Sequence, residues 1–227
     1  MRQSKQIVAH IKEIHPQFKT YIEPFCGALW SGTAVIKAFP NRKYVFNDIN
    51  PHLIRFWSEA AKGWNPPEHV SEATYALYNK TRPLDDPMTG YIGFAWSFGG
   101  KFFGGAARTN GIIKGSYKST REKIDVLRSA DVVFRLGTYD KTPIPVNAMV
   151  YLDPPYEGRT KQSKFHDFDK AAYISWAGNL AKKSKVIATE FIEQPGWKIL
   201  HNYGDTVVRH HSAKPADGTT ELLMRVL

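Results

Sequence analysis

Val146 to Thr160 reads VNAMVYLDPPYEGRT. The apolar run that opens it predicts a buried strand over 147–152. The strand runs into Asp153, Pro154, Pro155 and Tyr156. Proline has no N–H and a fixed φ, so two in succession end a β-ladder and stiffen the main chain, while their carbonyls stay available as acceptors. The Asp153 carboxylate and the Pro154 carbonyl can therefore converge on one donor with two hydrogens, such as the exocyclic amine of a base. Both acceptors polarise that amine and aim its lone pair, and Tyr156 follows at a place where its ring stacks on the ring bearing the amine. Flipping a base out of a duplex costs a few kcal/mol, and stacking on one aromatic returns about 1–3 kcal/mol. Taken by itself, the stretch is also simply an acid fixed at a strand end.

Two more strand ends bear on that choice. KTYIE (19–23) continues as PFCGALWSG, so Glu23 stands at a strand end, Pro24 stops the ladder and Gly27 permits a tight turn into a helix over 30–39. The start of that helix offers free N–H groups and a positive dipole end to an anionic ligand group; a plain strand–turn–helix corner has the same pattern. KYVFND (43–48) ends in Asp48, about 20 residues beyond the glycine turn, the usual spacing of an acid that accepts from both hydroxyls of a ribose. Asp48 reads equally as the N-cap of the helix following Pro51. A glycine turn and a downstream strand-end acid together favour a nucleoside-containing cofactor. Neither Gly-x-Gly-x-x-Gly nor a Walker-type lysine loop is present, which argues against NAD and ATP and leaves a cofactor with a ribose and no phosphate.

Periodicity along the rest of the chain gives a helix over 3–14, one after Pro51, one near 68–80, one at 119–129, and helices near 169–183 and 195–201. Strands are expected at 131–136, 185–190, 205–210 and 220–226 in addition to the three above. This alternation predicts an α/β fold with a mostly parallel sheet covered on both faces, in which ligands bind beyond the carboxyl ends of the strands. Residues 1–62 and 119–227 form the expected catalytic domain, and 63–118, rich in Gly, Pro, aromatics and cations, an insertion at one sheet edge.

Among 227 residues, Lys and Arg outnumber Asp and Glu by 31 to 21, a formal net charge of +10. That is the balance of a polyanion binder, although many basic proteins bind no nucleic acid. The charge concentrates in and after the insertion: Lys101, Arg108, Lys114, Lys118, Arg121, Lys123 and Arg128 face only Glu122 and Asp125 between 97 and 128. Glycines make this stretch adaptable, and Phe98, Phe102 and Phe103 either anchor it or wedge against bases. We read it as a nucleic-acid-facing element, with Arg159, Lys161 and Lys164 gripping the flanking backbone; a solvated basic loop with its aromatics tucked into the core is the other reading. The single cysteine, Cys26, excludes an internal disulfide and suits a reducing cytoplasm. No signal peptide or membrane-length apolar run is evident, and His210-His211 lacks a third ligand, so no metal is expected.

EPFCG, ND and YLDPPY, in this order and at these distances, resemble the Dam-like DNA adenine-N6 methyltransferases. SFGGKFFGG (97–105) and EGRTKQSKFHDFD (157–169) are similar to their short, phage-type members. The resemblance implies a Rossmann-like S-adenosylmethionine-dependent methyltransferase sheet with an inserted target-recognition region. It also implies methyl transfer from S-adenosyl-L-methionine to the N6 amine of a flipped adenine, without a covalent enzyme intermediate. Glu23, Pro24, Phe25, Cys26 and Gly27 would line the methionine side of the cofactor, Asp48 would hold the ribose, and Lys5 on the first helix would lie near the cofactor and the catalytic loop. Asp153, Pro154, Pro155 and Tyr156 would form the catalytic site, with Asp153 also beside the cofactor. Phe165, Phe168 and Asp169 would close a loop over the base, core packing being the other reading of the two phenylalanines. The chain departs from the family where glycine often recurs, at Ala28, Leu29 and Trp30, and at Thr138, where many relatives carry an acid that contacts the cofactor adenine; Tyr139 and Asp140 are the candidates to replace it. The expected partner is double-stranded DNA, with a cognate restriction endonuclease a further candidate. The expected protein is a monomer or weak dimer in a bacterial or phage-infected cytoplasm. Cytosine-N4 methylation, adenine methylation in RNA, and a catalytically silent DNA-binding protein on the same fold are the alternatives.

Overall fold

The computed structural model describes residues 2–98, 101–106, 110–155, 168–203 and 221–227. Strands β1 (Thr20–Glu23), β2 (Lys43–Asp48), β3 (Asp131–Leu136), β4 (Met149–Leu152), β5 (Lys185–Glu190), β6 (Trp197–Asn202) and β7 (Leu222–Val226) form one sheet in the order β3-β2-β1-β4-β5-β7-β6. The first five are parallel, and β7 is antiparallel to both β5 and β6. This is the Rossmann-like methyltransferase sheet expected from the sequence. The chain winds outward from β1 through β2 to β3, then returns past β1 to β4 and β5. The reversal falls between β1 and β4, the place where an open parallel sheet leaves a crevice at its carboxyl edge.

Both faces of the sheet are buried because alternate residues of each strand point opposite ways and both sets are apolar. Tyr21, Tyr44, Phe46, Met149 and Tyr151 face one layer, and Ile22, Val45, Val150, Leu152 and Val186 the other. The first layer holds α1 (Arg2–Ile14), α2 (Trp30–Ala38), α3 (Pro51–Ala61) and α6 (Asn110–Arg128), which contribute Ile7, Ile11, Val35, Phe56, Trp57, Ile124 and Leu127. The second is α7 (Lys170–Ala181), through Tyr173, Ala177 and Leu180. Each such side chain contributes about 1.5–3 kcal/mol when fully buried.

The inserted segment is continuous with the first layer. It contains α4 (Glu72–Thr81) and α5 (Pro87–Ala95), and Tyr75, Tyr91, Ile92, Trp96 and Phe103 join the same buried cluster as Phe56 and Trp57. Helix α6 begins at Asn110 rather than 119, so the expected boundary at 118 falls within one helix. Gly111 and Gly115, which read as loop, lie inside it. The segment expected as a helix over 195–201 is strand β6: it pairs with β7 at the sheet edge, and a register shift between Ile199 and His201 breaks the alternation that marks a strand. The strand expected at 205–210 lies outside the described residues.

Helices α3 and α5 meet at Gly90, where an added Cβ would stand 2.1 Å from the His52 carbonyl oxygen and 2.7 Å from the Phe56 Cβ. Backbone cannot yield there without separating the helices. Gly90→Ala is expected to destabilise the protein by about 2–3 kcal/mol, measured by urea unfolding; an unchanged midpoint would refute this packing.

Candidate active site

The site is built on Asn47 and Asp48, at the end of β2. The Cys26 N–H donates to the Asn47 carbonyl at 2.8 Å and the Gly137 N–H to the Asp48 carbonyl at 3.1 Å. The Asn47 side-chain amide donates to the carbonyls of Pro24 (3.0 Å) and Gly137 (2.9 Å), joining the loops that follow β1 and β3. One Asp48 carboxylate oxygen accepts from the Gly27 N–H at 3.0 Å and the other from the Asn50 N–H at 2.9 Å. Asp48 does not cap α3: the Asn50 side chain does, accepting from the N–H groups of His52 and Leu53.

Gly27 (φ 46°) and Leu29 (φ 57°) both take the left-handed conformation in the turn before α2. Glycine does so freely; for leucine it is strain of about 1–3 kcal/mol that persists only where surrounding contacts enforce it. Those contacts are present. The Leu29 N–H donates to the Cys26 carbonyl (2.9 Å), the Trp57 indole N–H to the Gly27 carbonyl (3.1 Å), and the Lys123 ammonium to the Ala28 carbonyl (2.7 Å). No side chain caps α2, so its first turn keeps a positive dipole end.

A cavity of about 320 Å³ opens at the carboxyl edge of the sheet. Four strand ends wall it: Glu23 to Gly27 after β1, Asp48 and Ile49 after β2, Gly137 to Tyr139 after β3, and Asp153 and Pro155 at β4, with the first turn of α2 and Phe168 completing it. Phe25, Tyr139 and Phe168 pack together, with ring centroids 5.2–6.0 Å apart, as one aromatic wall.

Two carboxyls of the wall, buried Glu23 and partly buried Asp48, carry raised pKa values. Burial is the main cause at Glu23, helped by the neighbouring Asp153 charge and opposed by the Tyr21 hydroxyl, which donates to Oε1 at 2.6 Å; the pKa is pushed up to about 8. Glu23 is therefore neutral at pH 7. Burial also raises the Asp48 pKa, against the pull of the N–H groups it accepts from.

Of the residues expected at the cofactor and catalytic sites, Glu23, Pro24, Phe25, Cys26, Gly27, Asp48, Tyr139, Asp153 and Pro155 meet on this wall. Pro154 is buried between Asp153 and Pro155. Lys5 is exposed on α1 and does not line the cavity; its neighbour Ser4 donates to the carbonyl of the lining residue Trp30 at 3.3 Å. Tyr139 lines the cavity, whereas Asp140 is exposed and its pKa is lowered, first by the Thr138 hydroxyl. Tyr156, Phe165, Arg108, Arg159 and Lys161 lie outside the described residues, as does the side chain of Lys114. Lys101 and Lys118 are exposed. Arg121 donates to the Asn65 side chain and pairs with Asp125, so it is engaged within the fold. Phe102 stacks on His52 and Phe103 is buried, but Phe98 is half exposed. Sequence reasoning gave Asn47 and Trp30 no role in the site, and it placed Lys123 among the nucleic-acid-facing cations, whereas Lys123 is buried and donates to the Ala28 carbonyl. An amide beside Asp48 in an otherwise apolar strand was the available signal for Asn47, since a buried amide requires partners.

Residues 4–92 match the sequence pattern of the D12 class N6 adenine-specific DNA methyltransferases. The matched segment carries two of the three motifs, Glu23 to Gly27 and Asn47-Asp48, and bears out the resemblance read from them. No curated protein sequence matches the chain. Among solved structures, a protein of Nostoc punctiforme described as an O-methyltransferase aligns at 12% identity and a TM-score of 0.41, over 86% of this chain and 38% of that one. The methyltransferase-titled yhhF of Escherichia coli aligns at 7% and 0.44, over 100% and 86%. A protein of Pyrococcus horikoshii described as an RNA methyltransferase aligns at 6% and 0.47, over 98% and 81%.

The cofactor of such a methyltransferase is S-adenosyl-L-methionine, and the residues present fit it. Asp48 has both oxygens fixed by backbone N–H groups and stands on the cavity wall, as a ribose-holding acid must. The aromatic wall suits a purine, and the uncapped start of α2 suits a carboxylate. The volume lies within the usual range of ligand pockets, about 300–1,000 Å³.

Because the Glu23 pKa is raised, stability is fully present below its unfolded value of 4.5 and is lost as pH rises toward about 8. Glu23→Gln keeps the shape without the proton. It is expected to flatten this loss and to exceed the wild-type protein by about 2–4 kcal/mol at pH 9, read from urea unfolding at pH 5 and pH 9. Parallel pH profiles of the two proteins would contradict the buried, protonated Glu23.

Proposed function

For a chain whose N-terminal part carries this family's pattern, we propose that the protein methylates the exocyclic N6 amine of an adenine flipped out of double-stranded DNA. The observation that carries the reading is the position of Asp153 and Pro155 on the wall that also holds Asp48 and the glycine turn, because it puts an amine-binding motif and a nucleoside-binding motif in one cavity. When bound, S-adenosylmethionine supplies an electrophilic methyl group.

The chain's own residues then act on the amine. The Asp153 carboxylate and the Pro154 carbonyl each accept one of its hydrogens, which turns the nitrogen lone pair toward the methyl carbon. As the nitrogen becomes positive, its attraction to Asp153 grows, so the acid stabilises the transition state more than the ground state. A neutral Glu23 removes a second negative charge from that corner. Positioning of this kind supplies up to about 7–11 kcal/mol of the barrier reduction. Tyr156, which follows the prolines, is the residue assigned to stack on the base.

Residues 63–118 are assigned as the target-recognition region, with exposed Lys101 and Lys118, together with Arg108, Lys114, Arg159 and Lys161, on the DNA backbone. The engaged Arg121 belongs to this group only if it leaves Asn65. The basic net charge supports DNA as the partner.

Asp153→Asn keeps the size of the side chain and one acceptor oxygen. It is expected to bind S-adenosylmethionine and DNA as the wild-type protein does while methyl transfer falls at least about a hundredfold, by loss of electrostatic stabilisation. Single-turnover assays with labelled cofactor measure this, and near-normal transfer by the variant would overturn the role of Asp153.

A further inference from the structure

Lys123 lies on α6 and is buried, at 8% exposure. Its ammonium donates to the Ala28 carbonyl at 2.7 Å and sits over the Trp30 ring, 3.4 Å from the centroid. The Trp57 ring centroid is 6.0 Å away. Burial pulls the Lys123 pKa down to about 7, and a methionine or leucine would fill the same space beside Trp30 without that desolvation. What an apolar side chain would not supply is an N–H donor to Ala28, which the amine provides whether protonated or not, from a position over the Trp30 ring.

Both residues that Lys123 holds line the cavity, and between them stands Leu29 in its left-handed conformation. The three are also the positions where this chain departs from the glycines of the resembled family. A chain without those glycines needs another means of keeping the turn in shape, and one amine that bonds Ala28 before the strained residue and packs on Trp30 after it provides it. Trp30 lines the cavity and is 51% exposed, so the contact with Lys123 bears on a ring that is half in solvent.

We infer that Lys123 is a positioning residue for the cofactor turn: it sets the shape of Ala28 to Trp30, and with it the affinity for S-adenosylmethionine. The inference rests on the methyltransferase reading of the cavity and adds to it a residue from outside every motif. It also makes α6, which rises out of the inserted segment, a structural part of the cofactor site. Arg128 of the same helix donates to the carbonyls of Ala60 and Trp64, so α6 is fixed at both points.

Titration calorimetry with S-adenosylmethionine tests this on the wild-type chain, Lys123→Met, Trp30→Leu and the double variant. Lys123→Met is expected to weaken cofactor binding about tenfold, to raise the KM for cofactor with kcat nearly kept at saturation, and to leave Tm unchanged or higher, because a buried charge is removed. Trp30→Leu weakens binding less in the Lys123→Met background than in the wild type. A lysine with a merely structural role predicts the reverse, a lower Tm with unchanged affinity, and that result overturns the inference. Should Lys123→Met fail to fold, Trp30→Leu decides alone: unchanged cofactor affinity overturns the inference and weakened binding supports it. A wild-type chain that binds no S-adenosylmethionine overturns the methyltransferase reading itself, whereas wild-type binding matched by Lys123→Met removes only the role of Lys123.

Discussion

Asn47 and Asp48 hold together everything that makes the carboxyl edge of this sheet a site. Six main-chain polar groups converge on these two residues, on their backbone and side chains, from the loops after β1, β2 and β3. Parallel strands end in loops that have no ladder to join, and their buried N–H and C=O groups must find partners. Here the partners belong to each other's loops, so the three strand ends form one rigid rim. The same bonds that satisfy the backbone orient the Asp48 carboxylate, and structural and functional demands coincide in one side chain.

The second constraint is electrostatic. Glu23 and Asp153 end neighbouring strands, β1 and β4, on either side of the point where the winding of the sheet reverses. Two charged carboxylates so placed would repel each other and attract cations indiscriminately. Burial of Glu23, with its Tyr21 hydrogen bond, resolves this by leaving it protonated at neutral pH. Burial thus suits Glu23 to shaping the wall, while the proposed function leaves contact with the substrate amine to Asp153.

The strand ends were legible in the sequence because proline and glycine act locally. Pro24, Pro154 and Pro155 stop ladders wherever they stand, and Gly27 marks a tight turn in any context. The sheet followed from fully apolar strands alternating with helical stripes. What was not legible depends on distant partners. Nothing near Lys123 announces that its ammonium lies under Ala28, 95 residues away in sequence. Helix α5 lies in the insertion where no helix was expected beyond 68–80, and its Gly90 is required by the close approach of α3. The edge strand β6 reads as a helix because its irregular pairing with β7 hides the alternation. Lys5 was carried over from the family by its place on an amphipathic helix, and such a pattern fixes which face of the helix is buried, not which cavity a lysine reaches.

The central claim is that one cavity holds a nucleoside cofactor and presents Asp153 to the amine of a flipped adenine. Incubation of the protein with methyl-labelled S-adenosylmethionine and duplex DNA of mixed sequence, followed by digestion to nucleosides, tests it most directly. The account predicts label in N6-methyldeoxyadenosine within one short sequence context. Label in N4-methyldeoxycytidine, label in RNA but not in DNA, or no transfer by a protein that binds both cofactor and DNA would contradict it.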